Sequence, residues 1–576
     1  MKANLGRLAL LSLLLLAGTG MYAQNKVAVH GSVQGDFLFW EKDKSIGATE
    51  DYDSPLLFNT YADVNLASKY VDAGLRFEFM KWPLPGYEKD FAGWGFPNIY
   101  VKGKYKGMDL TLGDFYEQFG SGFILRTYEE RTLGIDNSIR GARLKFNNIR
   151  GLRLTALGGI QRVYWDWKLK NQVYGLNADA YFQDWFPKLQ ERDVSLGLGA
   201  SWVMKHQHND NIDIAGTNYA LRLPKNVGAF DLRAHFMKGP WSVNAEYAWK
   251  GQDPSFDNDY TYGKGNAIMV NGSFAKKGIS AMLQAKRSEN FAYRTQPTRN
   301  GLGAFINYMP AFTYQHTYSL PALYPYATQY GPGEWALQGQ FSYTFDRRTP
   351  LGGKYGTKFT VNASYISRLV HEGQPKAVID GLNTIEGTNG YKTSFFKMGQ
   401  CDYWDFNIQF EKKFSRVFQL QFMYMNQKYN RTAVEDASFV SKNESEILYS
   451  NILVGDAKFK FNRKFTLRTE LQYLFGSSKG AHVEHVTPED RGYGTDWAYG
   501  LVEFSYSPYL MVFASDMWNC GGSGLHYYMF GVTGNYRSNR LQLSYGRTRK
   551  GYNCAGGVCR LVPAMRGFQI TYSYNF

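Results

Sequence analysis

The sequence predicts an all-β chain, a transmembrane antiparallel β-barrel of about 24 strands, within a range of about 22 to 26, with long extracellular loops and short periplasmic turns. Three observations carry that expectation: an export signal at the N-terminus, a period-two alternation of apolar and polar residues through the rest of the chain, and a final strand that ends on an aromatic residue. Beyond the signal no apolar run approaches the roughly 20 residues that a spanning helix needs. The mean hydropathy of −0.40 is that of a chain whose apolar residues are interleaved with polar ones.

At the N-terminus Lys2 and Arg7 form a basic region, Leu8 to Ala17 an apolar one, and Tyr22-Ala23-Gln24 a cleavage point. Residues 1–24 therefore read as a secretory signal peptide and residues 25–576 as a single barrel domain. No cysteine precedes Cys401, which argues against a lipid-anchored N-terminus. The first strand places Val27, Val29, Val33, Phe37 and Phe39 on one face and His30, Ser32, Gln34 and Asp36 on the other. It starts close to the cleavage point and leaves no room for an N-terminal plug domain, which argues against a TonB-dependent transporter.

Later strands repeat the scheme. Leu75, Phe77 and Phe79 oppose Arg76 and Glu78; Leu152 and Leu154 oppose Arg153 and Thr155; Phe406, Ile408 and Phe410 oppose Asn407, Gln409 and Glu411. The apolar parity is assigned to lipid and the polar parity to the lumen. Arg76, Glu78, Arg143, Lys145, Arg153, Arg468 and Glu470 are then expected to line the lumen. Short connections at Lys106-Gly107, Lys238-Gly239, Asn462-Arg463, Ser507-Pro508 and Ser538-Asn539 alternate with long ones, among them 41–57, 82–96, 117–136, 288–333, 370–399 and 551–564. The alternation holds near residues 164–204 only if Val173 to Phe182 is itself a strand. Counting it gives the even number that a barrel entered and closed from the periplasm requires.

So wide a barrel encloses more space than a porin, and inward loops should narrow it. The densest polar segment, Gly113 to Gly141, gathers Asp114, Glu117, Gln118, Arg126, Tyr128, Glu129, Glu130, Arg131, Asp136, Asn137 and Arg140 around Gly120 and Gly122. Facing acids and bases in a constriction loop produce a transverse field that selects solutes by charge and dipole. The competing reading is a loop made rigid by its own ion pairs. After Asn307-Tyr308-Met309-Pro310, the stretch to residue 332 is rich in tyrosine and proline. It is suited either to stacking on sugar rings or a partner protein, or to packing inside the barrel as a plug.

Cys554 and Cys559, in a short Gly-rich loop, are expected to form a disulfide, with soft-metal capture as the alternative; Cys401 and Cys520 either pair or stay free. His206 and His208 with Asp210, and His482 and His485 with Glu484, read as solvated loop groups or as weak divalent-metal ligands. No metal or cofactor is assigned. No Ser, His and acid combination comes within reach in the polar segment, so an enzyme is not expected. Aromatic residues are 17% of the chain, as interface girdles require. Losing Lys2 and Arg7 with the signal takes the formal charge from +15 to +13. The basic residues are scattered over strands and turns, which argues against nucleic-acid binding and for a lumen biased towards anions.

The last strand sets Phe568, Ile570, Tyr572, Tyr574 and Phe576 on one parity and Gln569, Thr571, Ser573 and Asn575 on the other. It resembles the terminal signal read by the bacterial barrel-assembly machinery. The Gly113 to Gly141 stretch, the Asn307 to Pro310 segment and the turn Asn553-Cys554-Ala555-Gly556-Gly557-Val558-Cys559-Arg560 together resemble an uncharacterised family of Bacteroidota outer-membrane barrels, over the whole mature chain. The resemblance implies fold and location, integral to the bacterial outer membrane, with membrane lipid and the assembly machinery as partners. It supplies no substrate and no catalytic residue. The expected role is a porin-like channel or transporter with an anionic bias. The competing one is a non-conducting, plugged barrel whose loops bind surface or periplasmic partners, or a metal at the cysteine-bearing mouth.

Overall fold

The computed structural model describes residues 27–576 apart from 168, 170, 208–210, 214–219, 259, 300, 373–375, 380–381, 386–391, 436–445 and 481–491. The expected signal peptide, His208, Asp210, His482, Glu484 and His485 lie outside the described residues.

One antiparallel sheet of 24 strands closes on itself. Each strand pairs with its chain neighbours, and the first, Ala28–Glu41, pairs both with Leu56–Ala67 and with the last, Met565–Asn575. At the seam Gly31 and Phe576 exchange two backbone hydrogen bonds of 3.0 Å. A Cβ on Gly31 would stand 2.3 Å from the Asp63 carbonyl oxygen, so the closing contact requires glycine there. The weak segment after residue 170 is indeed a strand, Gln172–Tyr181, laddered to Leu152–Gln161 and Val194–His206.

Burial is inverted relative to a water-soluble protein. Leu283 and Leu471 are each 72% exposed on the outward parity, whereas Lys205, Asp231, Lys250, Asn362 and Asn407 on the inward parity are fully shielded. Among the described residues no helix is long and apolar enough to cross a membrane. Tight connections such as 239–240, 277–278 and 537–538 sit at the end of the barrel that also holds Ala28 and Asn575, here the turn end. The opposite, loop end carries the long connections.

Three connections depart from expectation. Within 370–399, expected as a loop, residues 370–372 and 392–399 continue the strands Thr357–Glu372 and Lys392–Lys413, and Lys376–Ile379 pairs with Leu382–Ile385 as a small hairpin. Gly- and Thr-rich composition suggests a loop, but strand pairing supplies backbone partners to the described residues, and pairing overrides propensity. Two further loop-end connections, 162–171 and 519–525, are short enough to escape a reading based on length.

Candidate functional site

The loop-end half of the lumen is filled by the chain itself. Phe119, Phe123, Ile124 and Leu125 from the connection 116–138 pack with Phe291, Tyr293, Ile306 and Met309 from the connection 290–333, against wall residues such as Val173, Val203 and Ala248. Across the lumen Phe312, Tyr318, Leu320, Leu323, Tyr324 and Tyr326 pack on Ile366, Tyr403, Met425, Ile452 and Leu474. Of the two readings of the Tyr/Pro stretch, the structure realises the plug.

Charged wall residues hold this plug by its backbone. Lys205 donates to the Arg294 carbonyl at 2.5 Å and pairs with Asp253 at 2.6 Å. Lys250 pairs with the same Asp253 at 3.1 Å and donates to the Ala292 carbonyl. Lys286 donates to the Pro310 carbonyl at 2.6 Å and pairs with Glu334 at 2.7 Å. All three ammonium groups are fully shielded, and burial demands such partners. Further along, Tyr318 Oη donates to Asp456 at 3.2 Å, the Leu320 N–H to Gln472 at 2.8 Å, and His316 pairs with Asp405.

The polar segment after Gly113 mates with the wall in the same way. Arg76 donates to Asp63 and to Glu129, both at 2.7 Å, and to Asp136 at 3.2 Å. Arg131 reaches Glu129 at 2.6 Å and Asp63 at 3.0 Å. Arg162 joins Glu78 at 3.0 Å and Asp136. Carboxylate oxygens of Glu78, Glu129 and Asp136 lie within 4.8 Å of one another, but Arg76 and Arg162 stand beside them. Their counter-charges make this an ion-pair cluster, with the desolvation of each group offset by the others. Glu117 accepts from Arg143 at 3.1 Å and Lys145 at 2.7 Å, so two expected lumen bases meet an expected loop acid. Arg126 is stacked between Tyr128 and Tyr308, 4.6 and 3.9 Å from the ring centres. Glu130 accepts from the Thr132 hydroxyl at 2.6 Å, Gln118 donates to the Gly120 carbonyl at 2.9 Å, and Asn137 donates to the Phe305 carbonyl at 2.8 Å.

Acids and bases are thus interleaved at contact distance instead of facing one another across an opening. Asp114 and Arg140 depart furthest from the expected constriction. They form a cross-strand pair, 2.8 Å apart, on the parity of Leu112 and Leu144, which is the outward one. Strand periodicity carries them away from the lumen despite their place in the polar segment. Among the other expected lumen residues, Arg468 pairs with Asp456 at 3.0 Å and with Glu470, while Arg153 is exposed and stacks over Tyr181 at 4.8 Å. Reasoning from sequence missed Asp63, Arg162, Lys205, Lys250, Asp253, Lys286 and Glu334. The strand members of this group share the inward parity of their strands, a signal that was present.

A hairpin, Gly551–Ala555 with Val558–Val562, closes over the mouth with the expected Cys554–Cys559 disulfide, so these sulfurs are not metal ligands; Cys401 and Cys520 are free thiols. Its tip residues Gly556 and Gly557 have φ of 60° and 87°, values that favour glycine. Tyr308 Oη donates to the Gly556 carbonyl at 2.6 Å and the Thr328 N–H to the Gly557 carbonyl at 3.0 Å, so one tip grips two separate parts of the plug. Nearby, burial pushes the Glu88 carboxyl above its usual range, against the opposing pull of the Leu302 N–H that donates to it at 3.2 Å. Burial also lowers the Arg560 guanidinium, which lies over the Tyr87 ring. His206 contacts Asn226 at 2.7 Å.

Towards the turn end the lumen holds a cavity of about 460 Å³, lined by Ser121, Asp179, Arg233 and Glu246 together with apolar groups such as Ala245 and Met269. Its roof is the tip of the connection 116–138, where the Ser121 N–H donates to Glu246 at 2.9 Å. Arg233 is anchored to Asp231 at 2.7 Å and Asp179 at 2.9 Å.

Solved structures similar to this chain include three from Pseudomonas aeruginosa. The siderophore receptor PirA has 8% identity and a TM-score of 0.40, covering 95% of this chain and 80% of that one. The protein OccK5 (OpdH) has 12% identity and a TM-score of 0.35, covering 75% and 98%. A variant of the ferric enterobactin receptor in complex with enterobactin has 10% identity and a TM-score of 0.41, covering 96% and 82%. No curated protein matches the chain. A family model matches residues 1–576, and the chain belongs to that family, DUF6029, a family of unknown function.

Proposed function

We propose that this barrel is an integral outer-membrane transport protein, a channel closed at rest by its own connections 116–138 and 290–333. The observation that carries the reading is the asymmetry of the lumen: filled at the loop end, yet open as a cavity of about 460 Å³ beneath the filling, with Asp179, Arg233 and Glu246 in its lining. A permanent stopper needs no aqueous approach, whereas a gate does. The apolar outward parity supports membrane placement, the seam strand Met565–Asn575 supports closure by the barrel-assembly machinery, and an export signal within residues 1–24 supports delivery. Ion pairing of the clustered charges with the wall supports a conduit over an enzyme. The two apolar clusters favour the alternative, a plugged barrel that docks partners.

Single-channel recording of the refolded full chain in a planar bilayer, with folding verified by heat-modifiable gel migration, separates these readings. The gated channel is expected to be silent for long periods, with openings that become frequent when the plug anchorage is weakened. Steady conductance of the unmodified chain refutes closure at rest. Silence in every folded, plug-weakened variant refutes transport and leaves the docking barrel.

A further inference from the structure

We infer that the outward wall carries a site for one anionic membrane lipid, with a trough for an acyl chain and a cationic aromatic cap for its phosphate. The inference rests on the membrane placement proposed above and not on conduction.

The trough is a groove of about 1110 Å³ on the outward face. Leu283 stands opposite Gly272 on one neighbouring strand and Gly339 on the other, so two missing side chains flank a projecting one. A Cβ on Gly272 would meet nothing nearer than 3.9 Å, so that position is open space rather than a close backbone approach. Val270, Leu283 and Phe406 are exposed along the walls, a surface suited to hydrocarbon.

Polarity changes abruptly at the loop-end limit of the groove. Along Phe418–Asn430 the outward residues run Phe422, Tyr424, Asn426 and Lys428, from apolar to cationic. Amides on a lipid-facing parity are costly unless satisfied. Here the Trp404 indole donates to Asn426 at 2.9 Å, Asn426 donates to Asn451 at 3.0 Å, and Tyr424 Oη donates to Asn451 at 2.8 Å. Above this layer the Trp404 and Tyr449 rings lie 6.2 Å apart, with the Lys428 ammonium 5.6 Å over the first and the Lys479 ammonium 5.7 Å over the second. Lys428 is only 9% exposed, and no carboxylate among the described residues pairs with it or with Lys479. Lys428 is buried along its stem and Lys479 is exposed, and two neighbouring ammonium groups without a counter-ion point to an anion supplied from outside. Two ammonium groups on adjoining rings, directly above an apolar trough, match a lipid phosphate with its chain below, and a free phosphate would leave the trough unused.

Native mass spectrometry of the full chain, exchanged from mild detergent into phosphatidylglycerol or phosphatidylcholine of identical acyl chains, tests the site. The unmodified barrel is expected to retain one phosphatidylglycerol with roughly tenfold preference over phosphatidylcholine. Replacing both Lys428→Gln and Lys479→Gln should abolish the preference while leaving heat-modifiable migration intact. Gly272→Leu, which fills the trough, should reduce retention of both lipids. Equal retention of the two lipids by the unmodified barrel overturns the inference, as does an undiminished preference in the double-lysine variant. A barrel that inserts into vesicles without lipid preference overturns this inference alone, whereas one that does not insert overturns the membrane placement with it.

Discussion

Lys286→Met tests whether the plug is held by charge. The lysine is fully shielded, Glu334 is 1% exposed, and their 2.7 Å pair also fixes the Pro310 carbonyl of the plug. Removing one member of a buried pair costs about 3–5 kcal/mol, because the other is left charged and uncompensated. Glu334 keeps two donors, the Tyr326 hydroxyl and the Gln329 N–H at 2.9 Å, which places the loss near the lower figure. Methionine preserves the packing of the aliphatic stem, so the change is mostly electrostatic. About 3 kcal/mol corresponds to roughly a hundredfold shift in a two-state equilibrium between seated and displaced plug. Hydrogen exchange of the Ile306 and Met309 amides should accelerate by that order, and channel openings should become correspondingly more frequent in bilayers. Glu334→Gln added to Lys286→Met removes the stranded charge and should restore much of the protection. A folded Lys286→Met barrel with unchanged exchange and unchanged silence would refute the idea that wall charges seat the plug.

The remaining predictions concern the mouth and the seam. Replacing Cys554 and Cys559 by serine opens a loop whose ends are 5 residues apart, worth about 2 kcal/mol on the chain-entropy model; exchange of the Thr328 amide should rise at least tenfold, and unchanged protection would show that the hairpin grips without its disulfide. Because burial holds the folded Glu88 carboxyl above its unfolded value, its contribution is fully present below the usual pKa of about 4.3 and is lost as pH rises through the folded value. Its contact with Leu302 should therefore open more often at pH 7 than at pH 5 once intrinsic exchange is corrected for, and Glu88→Gln should flatten the profile; the opposite slope contradicts the assignment. Deleting Phe576 removes both backbone bonds to Gly31 and the ring 5.7 Å from Tyr574, and should lower the yield of heat-modifiable barrel; an undiminished yield would show that the seam closes without them.

The barrel was legible in the sequence because its two environments impose opposite demands on alternate residues. Strand parity even recovered Gln172–Tyr181, whose composition is undistinguished, since an odd count does not bring the chain back to its starting side. The disulfide followed from local spacing. The plug was only half legible, because inward folding depends on partners remote in the chain: Lys205 and Arg294 are 89 residues apart, and Arg162 and Glu78 are 84 apart. Nothing within residues 290–333 indicates that three distant lysines await their carbonyls. For Asp114 and Arg140 the local polarity misled, since a single strand step decides between lumen and exterior. The outward Asn426 and Asn451 were invisible for the same reason, their meaning arising only when strands align them.

On the proposed gating, the charge of the lumen follows from the position of the connection 116–138. Composition suggested a standing excess of positive charge inside, yet in the closed structure Arg143 and Lys145 are matched by Glu117, Arg76 by Asp63, Glu129 and Asp136, and Arg468 by Asp456 and Glu470. The connection 116–138 carries four acids, Glu117, Glu129, Glu130 and Asp136, against two bases, Arg126 and Arg131. Lifting it from the lumen withdraws a net charge of −2 and leaves Arg143 and Lys145 facing water beside the exposed Arg153. Opening therefore converts a neutralised wall into a basic one, and selectivity becomes a property of the open state. Reversal potentials of Lys286→Met openings in a salt gradient should show anion preference. Adding Arg143→Glu and Lys145→Glu should shift them towards cations. Cation preference in the first variant would mean that this connection stays in place while current flows, making residues 290–333 the sole gate.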